Sequence, residues 1–463
     1  MVRLFKVYFP VRTLVLAFSE ALLIVASMAT VIFAKLGSDA GSLFVYEKAY
    51  TKIAILTAVG ILCMYYNDLY DSLVLSNWRE AMARLIQALG ALCLVMAFLY
   101  YAYPSSRLEQ DILLPGIFVL AGLLALDRIA FLAANRIPRF TERAILLGDG
   151  ALAPLLAAEV NKRPELGICL LGYVTATRTA QGGIHGLPCL GELEHFVPLV
   201  QDEKIKRIII ALDDRRGRLP LESLLQLKAE GIRVEDGTDV YETVTGRVPL
   251  ISLRPSWILF SRGFRISRGV LIYKRAFSLV FSTLTLLLSL PVMVLISLAI
   301  WLESPGPIIF RQKRIGKAGK VFVLYKFRSM REGANREGSQ VPARENDERF
   351  TRVGRWIRRL RLDELPQLYN ILRGDMYFVG PRPFVPEQEE LCLREIPFYA
   401  QRLTIKPGAT GWAQVNRGYC ATLEDNVEKL QYDLFYIKNL SMGLDMFIIF
   451  RTIKILILGR GGR

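Results

Sequence analysis

Residues 358–383 read RRLRLDELPQLYNILRGDMYFVGPRP, and two adjacent carboxylates, Asp363 and Glu364, stand there among arginines. A carboxylate approaches a polyanionic phosphate only where cations or N–H groups have first neutralised it, so this mixture points to chemistry on phosphate. A plainer reading is also open: Asp363 followed by Glu364 and Pro366 has the pattern of a helix N-cap with acidic and proline residues in the first turn. The two are compatible, because a helix start presents N–H groups that favour an anion. Neighbouring helix positions point apart, which gives Asp363 the direct role and Glu364 a supporting one. The chain has only two histidines, His185 and His195, both far upstream, so carboxylates rather than imidazole would carry the acid–base work.

The rest of the chain says where such a site would sit. Of 463 residues 52% are hydrophobic, high for a fully water-borne protein, which predicts membrane segments. From residue 264 onward 32 Lys/Arg face 18 Asp/Glu, so +14 of the net +16 lies in the last 200 residues. No basic motif interleaved with aromatics supports a nucleic-acid partner there. The six cysteines (Cys63, Cys93, Cys169, Cys189, Cys392, Cys420) are scattered without a CxxC pair and read as reduced packing residues.

Apolar runs at residues 11–34, 53–66, 85–103 and 112–132 approach the roughly 20 residues that cross a bilayer core, and predict a four-helix transmembrane domain over residues 1–140. Basic residues before the first run (Arg3, Lys6, Arg12) and after the last (Arg136, Arg139, Arg143) place both ends in the cytoplasm. Glu20 is costly at mid-membrane. The preferred reading starts the span later and leaves Glu20 at the headgroups; a polar contact inside the bundle is the alternative.

Residues 141–250 alternate short β-rich runs with helical ones, which predicts a Rossmann-like, CoA-binding-like cytoplasmic module with a small parallel sheet. Gly148-Asp149-Gly150-Ala151-Leu152-Ala153 is similar to a dinucleotide fingerprint, but no acidic residue ends the second strand, so a structural or regulatory module is favoured over a nucleotide site. Residues 251–270 read as a linker.

Residues 276–302 carry no charge, with basic residues on both flanks: Arg268, Lys274 and Arg275 before, Arg311, Lys313 and Arg314 after. Flanks of this kind favour one side of the membrane for both ends. Ser289 and Pro291 stand midway, where proline removes a helix hydrogen bond. These features predict a re-entrant helix, break and helix dipping into one leaflet, with Ser289 helping to satisfy freed carbonyls. A kinked full span is the alternative and would put everything after Glu303 outside.

Residues 271–463 then form the last domain. Residues 308–312 and 321–330 read as strands presenting basic residues, and Arg349, Arg352, Arg355 and Arg358 recur every three residues on an expected helix. The motifs Lys326-Phe327-Arg328-Ser329-Met330, Leu362-Asp363-Glu364-Leu365-Pro366-Gln367, Gly374-Asp375-Met376, Gly380-Pro381-Arg382-Pro383 and Pro407-Gly408-Ala409-Thr410-Gly411-Trp412-Ala413-Gln414-Val415-Asn416 follow in order. Together they resemble the bacterial sugar transferase family, the monotopic phosphoglycosyl transferases, and the upstream part resembles its long members, which prime exopolysaccharide, capsule or O-antigen assembly.

The resemblance implies a C-terminal α/β monotopic catalytic domain that transfers a hexose 1-phosphate, glucose or galactose by class, from a UDP-sugar to undecaprenyl phosphate, releasing UMP. It implies Asp363 as nucleophile and Mg²⁺ ligand, Glu364 as its assistant, and Lys326, Arg358, Arg382 and Gln414 as substrate-binding residues. It further implies the bacterial cytoplasmic (inner) membrane, the catalytic domain on its cytoplasmic face, and a homodimer. Arg361 stands where the family usually has Ser or Thr, and Tyr377 where it has Ser; neither is expected to bear on the residues carried over. Residues 417–425, where members differ, are expected to read the sugar. The competing function is a non-catalytic membrane regulator of polysaccharide synthesis that senses a nucleotide.

Overall fold

The computed structural model describes residues 1–41, 48–108, 110–137, 141–175, 184–213, 219–261, 263–331, 333, 348–417 and 422–459. It divides into two compact units, Met1–Arg3 with Tyr8–Val244, and Leu4–Val7 with Thr245–Arg463. Among the described residues five helices are long and apolar enough to cross a membrane, four in the first unit and one in the second.

In the first unit the helix Val11–Leu36 starts after Pro10 and stops at Gly37, whose positive φ of 53° ends the helical repeat. It packs on Ala49–Tyr66 and on Gln110–Arg136, and Trp78–Ala102 packs on the same two helices. Gly60 and Gly116 permit this closeness: a Cβ there would lie 2.9 Å from Ile24 and 2.5 Å from Met28. Ile24, Met28, Leu56, Leu92 and Leu120 face inward, while Phe18, Ile86, Leu94, Phe98 and Phe118 are exposed. Large apolar side chains on the outside are what a lipid-facing surface requires.

Glu20 lies inside the helix Val11–Leu36 and makes the polar contact within the bundle that the sequence left as the alternative. It is fully buried within the helices, with Arg128 Nη2 2.7 Å from its Oε1 and the Tyr70 hydroxyl donating to Oε2 at 2.6 Å. Arg128 also donates to the Leu69 carbonyl at 2.6 Å. A cation on the fourth helix, more than a hundred residues away in sequence, neutralises the carboxylate.

The same unit carries a five-stranded parallel sheet with spatial order Cys189–Glu192, Ile168–Thr175, Glu142–Leu147, Arg207–Ile210, Arg233–Asp236. The edge strand Cys189–Glu192 is held by parallel pairing with its neighbour Ile168–Thr175. The glycines of the Gly148–Ala153 turn are explained by packing. A Cβ on Gly150 would lie 2.5 Å from the Ala211 carbonyl oxygen, and Gly148 has φ of 112°. The Ala151 N–H donates to the Asp213 carboxylate at 3.0 Å, so the chain's own anion sits at that turn.

The second unit is built along the helix Arg268–Glu303, 36 residues and so about 54 Å long. Ser267 caps its start. The expected break into two helices is absent: the helix runs on through Pro291, and the Ser289 hydroxyl donates to the Leu286 carbonyl at 3.3 Å rather than to Leu287, the acceptor proline leaves free. Continuous packing explains this. Lys274 is buried on Asp445 and the Val379 carbonyl, Ser278 accepts from Phe378 N, and Ile296 and Ile300 pack on Phe327 and Ile357. At the far end Glu303 accepts from the Arg352 and Val353 N–H groups at 2.6 and 2.9 Å. The opposite face, with Leu284, Leu287, Leu288, Val294, Leu295 and Leu298, is 51–73% exposed.

Against this helix lie an antiparallel hairpin, Ile309–Ile315 with Val321–Phe327, and a short parallel pair, Tyr377–Val379 with Gly408–Thr410. Trp412, Phe435, Tyr436, Leu444 and Ile448 form the main core. The basic helix is Arg352–Arg359, capped by Thr351, with Arg349 ahead of it.

The pair in the first unit yields a prediction. Arg128→Met leaves Glu20 buried without its cation and lowers stability by about 3–5 kcal/mol, whereas Arg128→Met with Glu20→Gln recovers most of the loss; thermal unfolding in detergent checks both.

Candidate active site

The segment after the basic helix changes direction at Arg361, whose backbone is left-handed (φ 58°, ψ 19°). A single 3-10 turn, Leu362–Glu364, follows, then Pro366 and the short helix Gln367–Arg373, stopped by Gly374 at φ 99°. Leu368 and Ile371 bury themselves against Leu324 and Met376, which turns Asp363 and Glu364 toward the hairpin. Asn370 fixes the register: its amide donates to the Val323 carbonyl at 2.7 Å and its oxygen accepts from Tyr325 N at 3.1 Å. Arg275 of the long helix donates to the Ile371 and Leu372 carbonyls at 2.6 and 2.8 Å, placing a cation at the helix C-terminus.

The expected N-cap is not formed. Asp363 accepts no hydrogen bond among the described residues, and the helix begins later, at Gln367. Proline at 366 and the turn at Arg361 divide the segment, leaving the Asp363 carboxylate uncommitted.

Two glycine motifs meet edge to edge beside this turn. A Cβ on Gly408 would lie 2.0 Å from Gly380 N, and one on Gly411 would lie 2.2 Å from the Gly380 carbonyl oxygen. Only glycine lets these backbones touch, and the contact delivers Arg382 and Gln414 together: Arg382 Nη1 lies 3.4 Å from Gln414 Oε1.

Glu364 is the hub. Its Oε1 meets Arg382 Nη2 at 3.0 Å, Lys326 Nζ at 3.2 Å and Arg361 Nη1 at 3.5 Å. Of the residues singled out in the sequence, Lys326, Glu364, Arg382 and Gln414 are thus joined directly. Arg358 stands apart, its guanidinium 4.3 Å over the Phe350 ring, and acts on Asp363 by charge rather than contact. Ser289 and Pro291 make no described contact with the dyad; the nearby helix residues Leu286 and Met293 line an apolar pocket of about 210 Å³ with Leu365 and Pro366. Arg361, expected not to bear on the site, belongs to it, and its left-handed turn is a conformation sequence spacing does not reveal. Asn370 was also missed. Residues 418–421 of the expected sugar-reading segment lie outside the described residues.

The dyad's titration is split. Burial opposes ionisation of Glu364, but Lys326, Arg382 and Arg361 outweigh it and hold that carboxyl well below the usual range. Asp363 goes the other way: burial first, then the Glu364 charge, raise it, against Lys326, Arg358 and Arg361. Glu364 is a fixed anion and Asp363 a more basic carboxylate beside it. Among the described residues no group of three or more His, Cys, Asp or Glu is placed to hold a metal.

Comparison with known proteins gives this geometry its setting. Residues 270–459 match the family model described as bacterial sugar transferase, and residues 66–230 match that of a CoA-binding domain. The chain covers 69% of the UDP-glucose:undecaprenyl-phosphate glucose-1-phosphate transferase of Caulobacter vibrioides at 42% identity over 187 residues, 40% of this chain. The chain belongs to the bacterial sugar transferase family. This family member is also 35% identical over 311 residues, 66% of each chain, to the UDP-glucose:undecaprenyl-phosphate glucose-1-phosphate transferase of Escherichia coli. It is 41% identical over 225 residues, 48% of this chain, to the UDP-N-acetylgalactosamine-undecaprenyl-phosphate N-acetylgalactosaminephosphotransferase of Aeromonas hydrophila. It spans 52% of the length of the Aeromonas relative and 66% of that of the Escherichia relative.

The opposed carboxyls predict opposite effects on stability. A raised folded-state value means Asp363 costs stability as pH climbs above its ordinary 3.8, so Asp363→Asn stabilises this family member at pH 7 and the gain vanishes below that value. Glu364 contributes stability above its ordinary 4.5 that is lost as pH falls through its depressed folded value, so Glu364→Gln destabilises at pH 7 by about 3–5 kcal/mol. Unfolding midpoints of both variants between pH 3 and 8 check the signs.

Proposed function

We propose that the chain transfers a hexose 1-phosphate from a UDP-sugar to undecaprenyl phosphate, releasing UMP, through a phosphosugar carried covalently on Asp363. The observation that carries this reading is the asymmetry of the dyad: three cations converge on Glu364, while Asp363, 9% exposed, has no described hydrogen bond and a raised proton affinity. A carboxylate left unengaged and made more basic is suited to nucleophilic attack.

In the first step an Asp363 carboxylate oxygen attacks the sugar-bearing phosphorus of the nucleotide sugar. The phosphoanhydride P–O bond breaks and UMP leaves with its electron pair. Undecaprenyl phosphate then attacks the same phosphorus through a phosphate oxygen, the Asp363–phosphorus bond breaks, and undecaprenyl-diphospho-sugar leaves. Lys326, Arg361 and Arg382 lower the repulsion between carboxylate and diphosphate, with Arg358 adding positive potential beyond contact. Glu364 keeps those cations in place.

Mg²⁺ fits this donor set, since that ion is often held by one or two carboxylates plus substrate phosphates. Asp363 would hold it, Glu364 being committed to three cations, and the ion would supply charge neutralisation on the diphosphate. Relatives named for glucose and for N-acetylgalactosamine support a hexose or N-acetylhexosamine 1-phosphate as the transferred group.

We place this domain on the cytoplasmic face of the bacterial inner membrane, the helix Arg268–Glu303 entering one leaflet without crossing. What supports this is that Lys274 and Glu303, near its two ends, are both tied to the same α/β unit while the opposite face remains apolar and exposed. A homodimer and priming of polysaccharide assembly are proposed from the resemblance to long family members. A nucleotide-sensing regulator is disfavoured by the complete charge constellation at the dyad.

Purified protein given radiolabelled UDP-glucose, UDP-galactose or UDP-N-acetylgalactosamine with Mg²⁺ and undecaprenyl phosphate should form lipid-linked sugar and UMP in equal amounts. Asp363→Asn should abolish turnover; retained activity would remove the mechanism. A cysteine at Lys320 should react with an impermeant maleimide only after the cells are opened, and labelling of intact spheroplasts would sink the one-leaflet placement.

A further inference from the structure

The loop that carries Arg382 is suspended by its carbonyl groups. Pro381 and Pro383 have no N–H to donate, and the three successive carbonyls of Pro381, Arg382 and Pro383 accept from Gly408 N, Arg402 Nη2 and Arg314 Nη1 respectively. The middle support comes from a buried charge. Arg402 is 5% exposed, in the 3-10 segment Tyr399–Thr404; its Nε donates to Asp433 at 2.8 Å and its Nη1 to the Tyr399 hydroxyl at 2.9 Å, with Glu389 at 3.4 Å. Its guanidinium lies 4.3 Å over the Phe384 ring.

Stability alone explains this cluster poorly. One cation is buried with two carboxylates, and Glu389 Oε1 and Asp433 Oδ1 have no hydrogen-bond partner among the described residues. Buried ion clusters of this kind are commonly no more stable than apolar packing of similar volume. What an apolar residue could not do is donate to the Arg382 carbonyl while being held by groups on the helices Pro386–Glu395 and Leu423–Lys438. Arg382 in turn bridges Glu364 and Gln414.

We propose that Arg402 is a positioning residue for the transfer reaction: it fixes the backbone of Arg382 so that the Arg382 guanidinium meets the diphosphate of the nucleotide sugar in one orientation. The inference rests on the proposed function. Lysine is not equivalent here, because one ammonium does not reproduce the planar fork that reaches Asp433, Tyr399 and the Arg382 carbonyl together.

The test is a double-mutant cycle on the full chain in lipid nanodiscs, reading UDP affinity by calorimetry and melting temperature in parallel. Arg402→Lys should leave melting within about 5 °C of the parent. It should weaken UDP binding about tenfold with Arg382 present and less than about twofold in the Arg382→Ala background, because the two residues act as one unit. Equal losses in both backgrounds, or no loss in the first, overturn the proposal, since a merely structural role is additive. If Arg402→Lys does not fold, Arg402→Met with Glu389→Gln and Asp433→Asn removes the donor and both charges, and the same coupling is expected of it. A parent protein that binds no UDP overturns this inference and the functional reading together, whereas binding with additive losses overturns this inference alone.

Discussion

The second unit depends on how one carboxylate, Glu364, is surrounded. Arg361, Arg382 and Lys326 come from a tight turn, a proline-bounded loop and a strand, and their like charges would drive them apart without the anion between them. Each element near the dyad is shaped to make that convergence possible. Glycines at 380, 408 and 411 let two loops touch, Asn370 locks the short helix to the hairpin, and Arg275 closes that helix from the long helix beneath it. The consequence for chemistry is a division of labour: because Glu364 absorbs the direct cation contacts, Asp363 remains unengaged within a positive field.

Buried charge recurs elsewhere in both units, always tying distant segments. Glu20 and Arg128 join the first and fourth apolar helices, and Lys274 and Asp445 join the start of the long helix to the helix Met442–Ile457. In an interior of low polarity such pairs are costly if broken and geometrically exacting if made, so they set how helices register more than how tightly they pack. This matters for the long helix, which exposes one apolar face and relies on the other for its place.

Much of the fold was legible in the sequence because apolar run length and strand-like alternation are local properties. The four upstream helices, the parallel sheet and the two basic strands were read from such patterns, as were the ordered motifs that carry the family. The misreadings share a cause. The partner of Glu20 lies 108 residues away and is not readable from its neighbours, and Pro291 looked like a break because the packing that supports an unbroken helix is supplied by Phe327 and Ile357. Asp363 looked like a cap because its neighbours have the composition of one, yet the left-handed Arg361 and Pro366 displace the helix start to Gln367.

Residue type and order alone determined that an unusual density of cations surrounds two carboxylates on a chain with membrane-length apolar helices, since charge and hydropathy are properties of the residues themselves. Only the tertiary structure decided which carboxylate is bound and which is left uncommitted. That choice turns on distances of about 3 Å between groups from separate elements, and on the difference in field that those distances create between two adjacent residues of the same charge.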